Sequence, residues 1–124
     1  MRRLLILTLG LIVLGCGAVQ MYPGPALPPE KVAVLEIRNL TVYAVDGVPP
    51  GRARTKKLQI LPGEHMLRAS HNVEGYGPMP FTYTFTAEAG HGYLFGADYK
   101  IERTLSWRPW IKDAANGNII GSWN

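Results

Sequence analysis

Apolar and polar residues alternate over several stretches of this chain, most strictly between positions 81 and 88. Phe81, Tyr83, Phe85 and Ala87 share one parity, while Thr82, Thr84, Thr86 and Glu88 share the other. Successive side chains of a strand point to opposite faces. The pattern therefore predicts a half-buried strand with one aromatic and one hydroxyl face. Tyr93, Phe95, Ala97 and Tyr99 repeat it within residues 91–99, and Ala89-Gly90 between the two predicts a hairpin with paired aromatic faces. Ala33, Leu35 and Ile37 oppose Glu36 and Arg38 in a first strand over residues 32–38. Residues 40–45 come next as a second strand, stopped by the turn dipeptide Asp46-Gly47. Residues 57–61 and 64–72, parted by Pro62-Gly63, read as two more, the latter with Leu67 and Ala69 facing inward. Residues 73–80 carry Gly75, Gly77, Pro78 and Pro80 and read as a loop. Residues 110–113 and 118–123 flank Asn116-Gly117, which signals another hairpin. Neither an internal repeat nor an amphipathic helix is visible. The expectation is an all-β chain, a single antiparallel β-sandwich of about seven or eight short strands. Its core would be built from Leu35, Ile37, Val45, Leu67, Phe85 and Phe95.

The beginning of the chain has another pattern. Arg2 and Arg3 precede an apolar run from Leu4 to Gly15, which ends at Cys16. A transmembrane helix needs roughly 17–25 apolar residues, so this run is short for a span. Two cations, a short apolar core and a small residue before a cut describe a secretory signal. Val13-Leu14-Gly15-Cys16 also resembles the lipobox of bacterial lipoproteins. That resemblance implies cleavage between Gly15 and Cys16 and lipidation of Cys16. It also implies an outer-membrane address, because Gly17 stands where an Asp favours retention at the inner membrane. Without lipidation, the segment remains a plain secretory signal and Cys16 a free thiol of the kind often buried.

Pro23, Pro25, Pro28 and Pro29 exclude helix and central strand from residues 17–30. The predicted organisation is a signal peptide over 1–15, a lipidated N-terminus and Pro-rich tether over 16–30, and a β-sandwich domain over 31–124. In polyproline form such a tether reaches about 3.1 Å per residue, roughly 40 Å in all. The chain beyond the signal suffices for one domain and not two. The formal charge of +4 and pI of 9.4 overstate the basicity of the mature chain, since Arg2 and Arg3 leave with the signal. Cys16 is the only cysteine, so no disulfide can staple the domain.

Three turn segments carry a further likeness: Val45-Asp46-Gly47, Leu61-Pro62-Gly63-Glu64-His65 and Ala87-Glu88-Ala89-Gly90-His91-Gly92-Tyr93. Together with the lipobox and Trp110-Ile111-Lys112-Asp113, they resemble small bacterial envelope lipoproteins with PEGA-like β-sandwich domains. The likeness spans most of residues 31–123. It implies a non-catalytic surface or periplasmic module.

No motif for catalysis or metal binding stands out. His65 and His71 share a parity but lie about 20 Å apart along a strand, so they cannot hold one ion without a bend. His91 sits at a turn, and all three histidines read as surface or edge residues. Ser70, Ser106 and Ser122 lie outside any Gly-x-Ser-x-Gly context. Asp46 and Asp113 fall at turns, where capping accounts for them. Glu64 and Glu88 can meet across strands, as exposed carboxylates often do. Arg52, Arg54, Lys56 and Lys57 form the densest charge cluster, suited to anionic headgroups or an acidic partner, or simply a solvated edge. Trp107 and Trp110 flank Arg108 and can form a recognition surface or cover one end of the sandwich. The reading is a lipid-anchored envelope protein without cofactor or metal, held to the membrane at Cys16. It acts as a structural or protein-interaction module and meets an envelope protein or glycan. A ligand- or glycan-binding module built around Trp107 and Trp110 is the alternative. Export argues against nucleic acid.

Overall fold

The computed structural model describes residues 18–51 and 56–124. The signal segment, Gly15, Cys16, Arg52 and Arg54 lie outside them. The strands are β1 (Val19–Gln20), β2 (Ala33–Ile37), β3 (Thr41–Val45), β4 (Lys57–Ile60) and β5 (Gly63–Val73). They continue as β6 (Gly77–Ala87), β7 (Gly92–Ile101), β8 (Leu105–Asp113), β9 (Ile119–Ile120) and β10 (Ser122–Trp123). One 3-10 turn, Pro29–Lys31, precedes β2, and the described residues contain no α-helix. The strands make a two-sheet sandwich, with β1-β4-β2-β7-β8-β9 in one sheet and β10-β6-β5-β3 in the other. All neighbours are antiparallel except β1 with β4 and β2 with β7.

The six expected core residues are all buried, and Leu58, Ile60, Tyr83, Tyr93 and Ile111 join them. Each such side chain contributes roughly 1.5–3 kcal/mol by leaving water. The aromatic faces do meet, but across the two sheets rather than within one. The ring centroids of Phe81 and Tyr83 lie 5.9 and 5.5 Å from that of Phe95, and those of Phe85 and Tyr93 are 5.3 Å apart. The expected β6–β7 hairpin is therefore replaced by a crossing at Glu88–His91. β6 pairs with β5 along its whole length, while β7 lies between β2 and β8. Alternation shows which face is buried, and that face is the same in either pairing.

The expected loop over 73–80 is also corrected. Val73 pairs with Gly77, so a short turn replaces it and β6 begins ahead of its prolines. Thr82 directs its N–H away from β5, to the Asn124 carbonyl. Pro78 and Pro80 share that parity, so the donors they lack would face an open edge. The same logic extends β8 back to Leu105, well before the expected start at Trp110. Pro109 has the parity of Ile111 and Asp113, whose N–H groups point to the β9 side. Among the described residues no strand pairs with that edge beside Pro109.

The proline-rich segment is not a free spacer over its described part. β1 pairs with β4, the Met21 N–H donates to the Gln59 carbonyl at 2.9 Å, and Tyr22 is buried. Four prolines interrupt strand formation, yet Val19–Gln20 lies ahead of all of them and is free to pair.

Two polar devices tie the sheets. The Tyr83 hydroxyl reaches from one sheet into the other, accepting from the Ile111 N–H at 3.1 Å and donating to the Ile120 carbonyl at 2.6 Å. It fills a gap between β8 and β9, where an empty gap would strand two backbone groups. Asn39 acts as a substitute strand residue, pairing both amide atoms with the backbone of Ala97 at 3.0 and 3.1 Å. Gly121, at φ 80°, lets the chain step from one sheet to the other; a Cβ there would collide with the Thr84 carbonyl and the Tyr83 ring.

Candidate functional site

Strand direction gives the sandwich two unlike ends. At the crossing pole lie the β6–β7 crossing, the start of β5, the end of β8 and the Asp46-Gly47 turn. At the entry pole lie the starts of β1 and β4, the end of β2, and the tips of the β5–β6 and β7–β8 hairpins.

The crossing pole assembles a cluster centred on His91. Its Nδ1 lies 2.9 Å from Asp113 Oδ2, and its Nε2 lies 3.3 Å from Glu88 Oε2. Glu88 and His91 face each other around the Ala89-Gly90 turn, while β7–β8 pairing delivers Asp113 opposite Tyr93. Asp113 Oδ1 accepts the Ala115 N–H at 2.9 Å, which fixes the carboxylate as a turn cap. That N–H and the His91 ring hold the Asp113 pKa below the usual carboxylate range. The hydrogen bond to Asp113, helped by the charge of Glu88, raises the pKa of His91. Burial raises that of Tyr93, whose hydroxyl accepts the Glu88 N–H at 2.9 Å.

A cleft of about 460 Å³ opens beside this cluster, lined by Glu64, Glu88, Asp113, Thr84, Tyr93 and Ser122 among others. Its rim is acidic and hydroxylated. Glu88, His91 and Asp113 each offer a donor atom within 4.8 Å of the others, so among the described residues they form a group that could hold a metal ion. To do so, His91 must release one of its carboxylate partners. The sequence spacing does not reveal this group, because Asp113 arrives through strand pairing from 22 positions away.

The other histidines have separate settings. His65 lies 2.6 Å from both Asp46 Oδ2 and the Leu61 carbonyl. Burial works against the Asp46 carboxylate, but the Met66 N–H and His65 outweigh it and lower its pKa. His71 is a correction: it is buried in the core rather than at the surface or an edge. The long β5 carries it inward in parity with Leu67, Ala69 and Val73. There it packs 5.6 Å from Tyr99 and 5.8 Å from Trp107, ring centre to ring centre.

Trp107 and Trp110 are not brought together. They occupy opposite parities of β8 and hence opposite faces. Trp107 packs inward against Phe81 and Trp123. Trp110 covers Gly96, where a Cβ would lie 2.8 Å from the indole, and Lys112 Nζ sits 4.1 Å from its ring centre. Of the basic cluster, Lys56 and Lys57 are described. Both are exposed, and Lys57 Nζ lies 3.9 Å from Glu36.

Fold and site together define a small mixed-topology β-sandwich with an acid-rimmed cleft at one pole and hairpin tips at the other. Comparison with protein-family models, curated proteins and solved structures finds no match.

Proposed function

We propose that this chain is a lipid-anchored, non-catalytic module of the bacterial envelope, exported by residues 1–15, acylated at Cys16 and held at the outer membrane. The observation that carries this reading is the N-terminal segment, in which Arg2 and Arg3, a short apolar run and Val13-Leu14-Gly15-Cys16 resemble an export signal ending in a lipobox. The parallel register Val19↔Leu58 starts three residues after Cys16, so an anchor at Cys16 would set the domain's orientation as well as its location. The crossing pole then faces away from the membrane, and its acid-rimmed cleft is the surface offered to a partner with basic groups. The lipobox likeness and the PEGA-like turns support the same assignment.

The test is metabolic labelling with a fatty acid, combined with detergent phase separation. The natural chain is expected to take the label and enter the detergent phase, and Cys16→Ser to lose both. Unchanged labelling of Cys16→Ser would overturn the anchor.

A further inference from the structure

We infer that the entry pole is a membrane-contacting surface whose occupant is a phospholipid bilayer bearing anionic headgroups. The inference rests on Cys16 being the acylated residue, and it adds how the domain sits on the membrane.

Position comes first. Ala18, the first described residue, precedes β1, and the chain ahead of Val19 leaves at the same end as the chain ahead of Leu58. Cys16 is two residues before Ala18, a backbone reach of at most about 7 Å. The segment ahead of Leu58 ends in Lys56-Lys57, with Arg52 and Arg54 just before it in sequence. Strand pairing thus brings Ala18 and Lys56-Lys57 to the same end, although almost forty positions separate them.

Shape comes second. β2 pairs with β7 as far as Phe95, yet the β7–β8 hairpin continues to Ile101 and Leu105. Six residues of strand carry it roughly 20 Å beyond that point. Tyr99 and Ile101 have the inward parity of Phe95 and Ala97 but are 53% and 49% exposed, because the tip outruns its partner sheet. Tyr76, at the neighbouring hairpin tip, is 50% exposed. Tyrosines and an aliphatic side chain among cations match the chemistry of the headgroup boundary, where an aromatic ring has both an apolar and a wet side.

Charge comes third. Arg38, Lys56, Lys57, Lys100, Arg103 and Arg108 sit at this pole against four acids: Glu36, paired with Arg38 and Lys57, Glu102, paired with Lys100, Asp98, opposite Arg108, and the exposed Glu74 at the β5–β6 tip. Glu64, Glu88 and Asp113 lie at the other pole. Turning the domain over would press carboxylates against an anionic surface, and a polybasic segment gains most when it lies within a Debye length of one.

The experiment uses the full-length, lipidated protein in vesicles of phosphatidylethanolamine and phosphatidylglycerol with brominated acyl chains. Ile101→Cys carries a bimane fluorophore; Ile119→Cys, exposed near the crossing pole, is the control. Acylation blocks the Cys16 thiol, so one dye per chain reports the intended site. Bimane at position 101 is expected to lose most of its emission, and bimane at position 119 almost none. Adding Lys56→Glu and Lys57→Glu should restore much of the signal at 101. Equal quenching at both positions, or none at 101 with Cys16 acylated, overturns the inference while the anchor stands. Emission at 101 that tracks protein density rather than bromine would assign the surface to a second copy, which also overturns it. Two dyes per chain and release from the vesicles would show an unmodified Cys16 and overturn the anchor and this inference together.

Discussion

The two poles are built from the same strands but closed in different ways. At the crossing pole the chain passes between sheets three times, at Leu61-Pro62, at Glu88–His91 and at Gly121. Backbone hydrogen bonds close it, among them Gly90 N–H to the Val32 carbonyl and Ala114 N–H to the Gly92 carbonyl. Its polar side chains are caps and pairs, such as Asp113 with Ala115 and Asp46 with Met66. At the entry pole the chain crosses at Arg38–Leu40, and beyond that crossing the sheets stay open. Two hairpins run past their neighbours, and the aromatic stack of His71, Trp107 and Trp123 seals the core beneath them. Apolar residues of one parity therefore serve two purposes: Phe95 fills the core, whereas Tyr99 and Ile101 carry the same face out to a half-exposed tip.

This contrast can be tested from its strongest side. Gly121→Ala adds a methyl group where the Thr84 carbonyl and Tyr83 ring already stand, at a φ that disfavours side chains. Overpacking and backbone strain together are expected to cost about 3 kcal/mol or more in urea unfolding. A near-neutral result would mean that β9 and β10 do not hold the sheets together.

A pH effect of intermediate size should separate the poles further. The raised pKa of His91 contributes stability that is fully present below the unfolded value near 6.5 and is lost as pH rises through the folded value. The lowered pKa of Asp113 contributes stability present above about 3.8 and lost as pH falls through the folded value. The natural protein should therefore exceed Asp113→Asn in Tm most clearly between these limits. The gap should narrow at pH 8.5 without vanishing, because neutral His91 can still donate to Asp113. A gap that widens above pH 7 would contradict the assigned pair.

The smallest expected effect is at the entry pole. Ile101→Ser touches a half-exposed tip and should shift unfolding by no more than about 0.5 kcal/mol. A loss of several kcal/mol would make the hairpin tip part of the core rather than a free surface.

Much of the fold is legible locally. Asp46-Gly47 does turn the chain, with Asp46 at φ 51° and Gly47 at 82°, and Val45 and Val48 bond each other across it. Asn116-Gly117 joins strands that pair Ile111 with Ile120. The loop expected over 73–80 and the late start expected for β8 fail for one reason, the prolines at 78, 80 and 109. A proline stops a strand only where its missing N–H would meet a neighbour, and which side has a neighbour is a tertiary fact. With β8 running through Pro109, the odd and even numbers of Trp107 and Trp110 already place them on opposite faces. Little of the site is legible. Glu88 and His91 are close in sequence, but nothing local marks Asp113 as their third member.

The buried faces, the Asp46-Gly47 and Asn116-Gly117 turns and a strand-rich single domain follow from local sequence, because a strand's two-residue period and the φ preferences of Gly and Asp act within a few residues. The place of β6 beside β5 and not β7, the enclosure of His71 and the pairing of Val19 with Leu58 come from packing across the whole chain. Those outcomes depend on which of several equally apolar faces pack best together, a choice made by the whole set of long-range contacts at once.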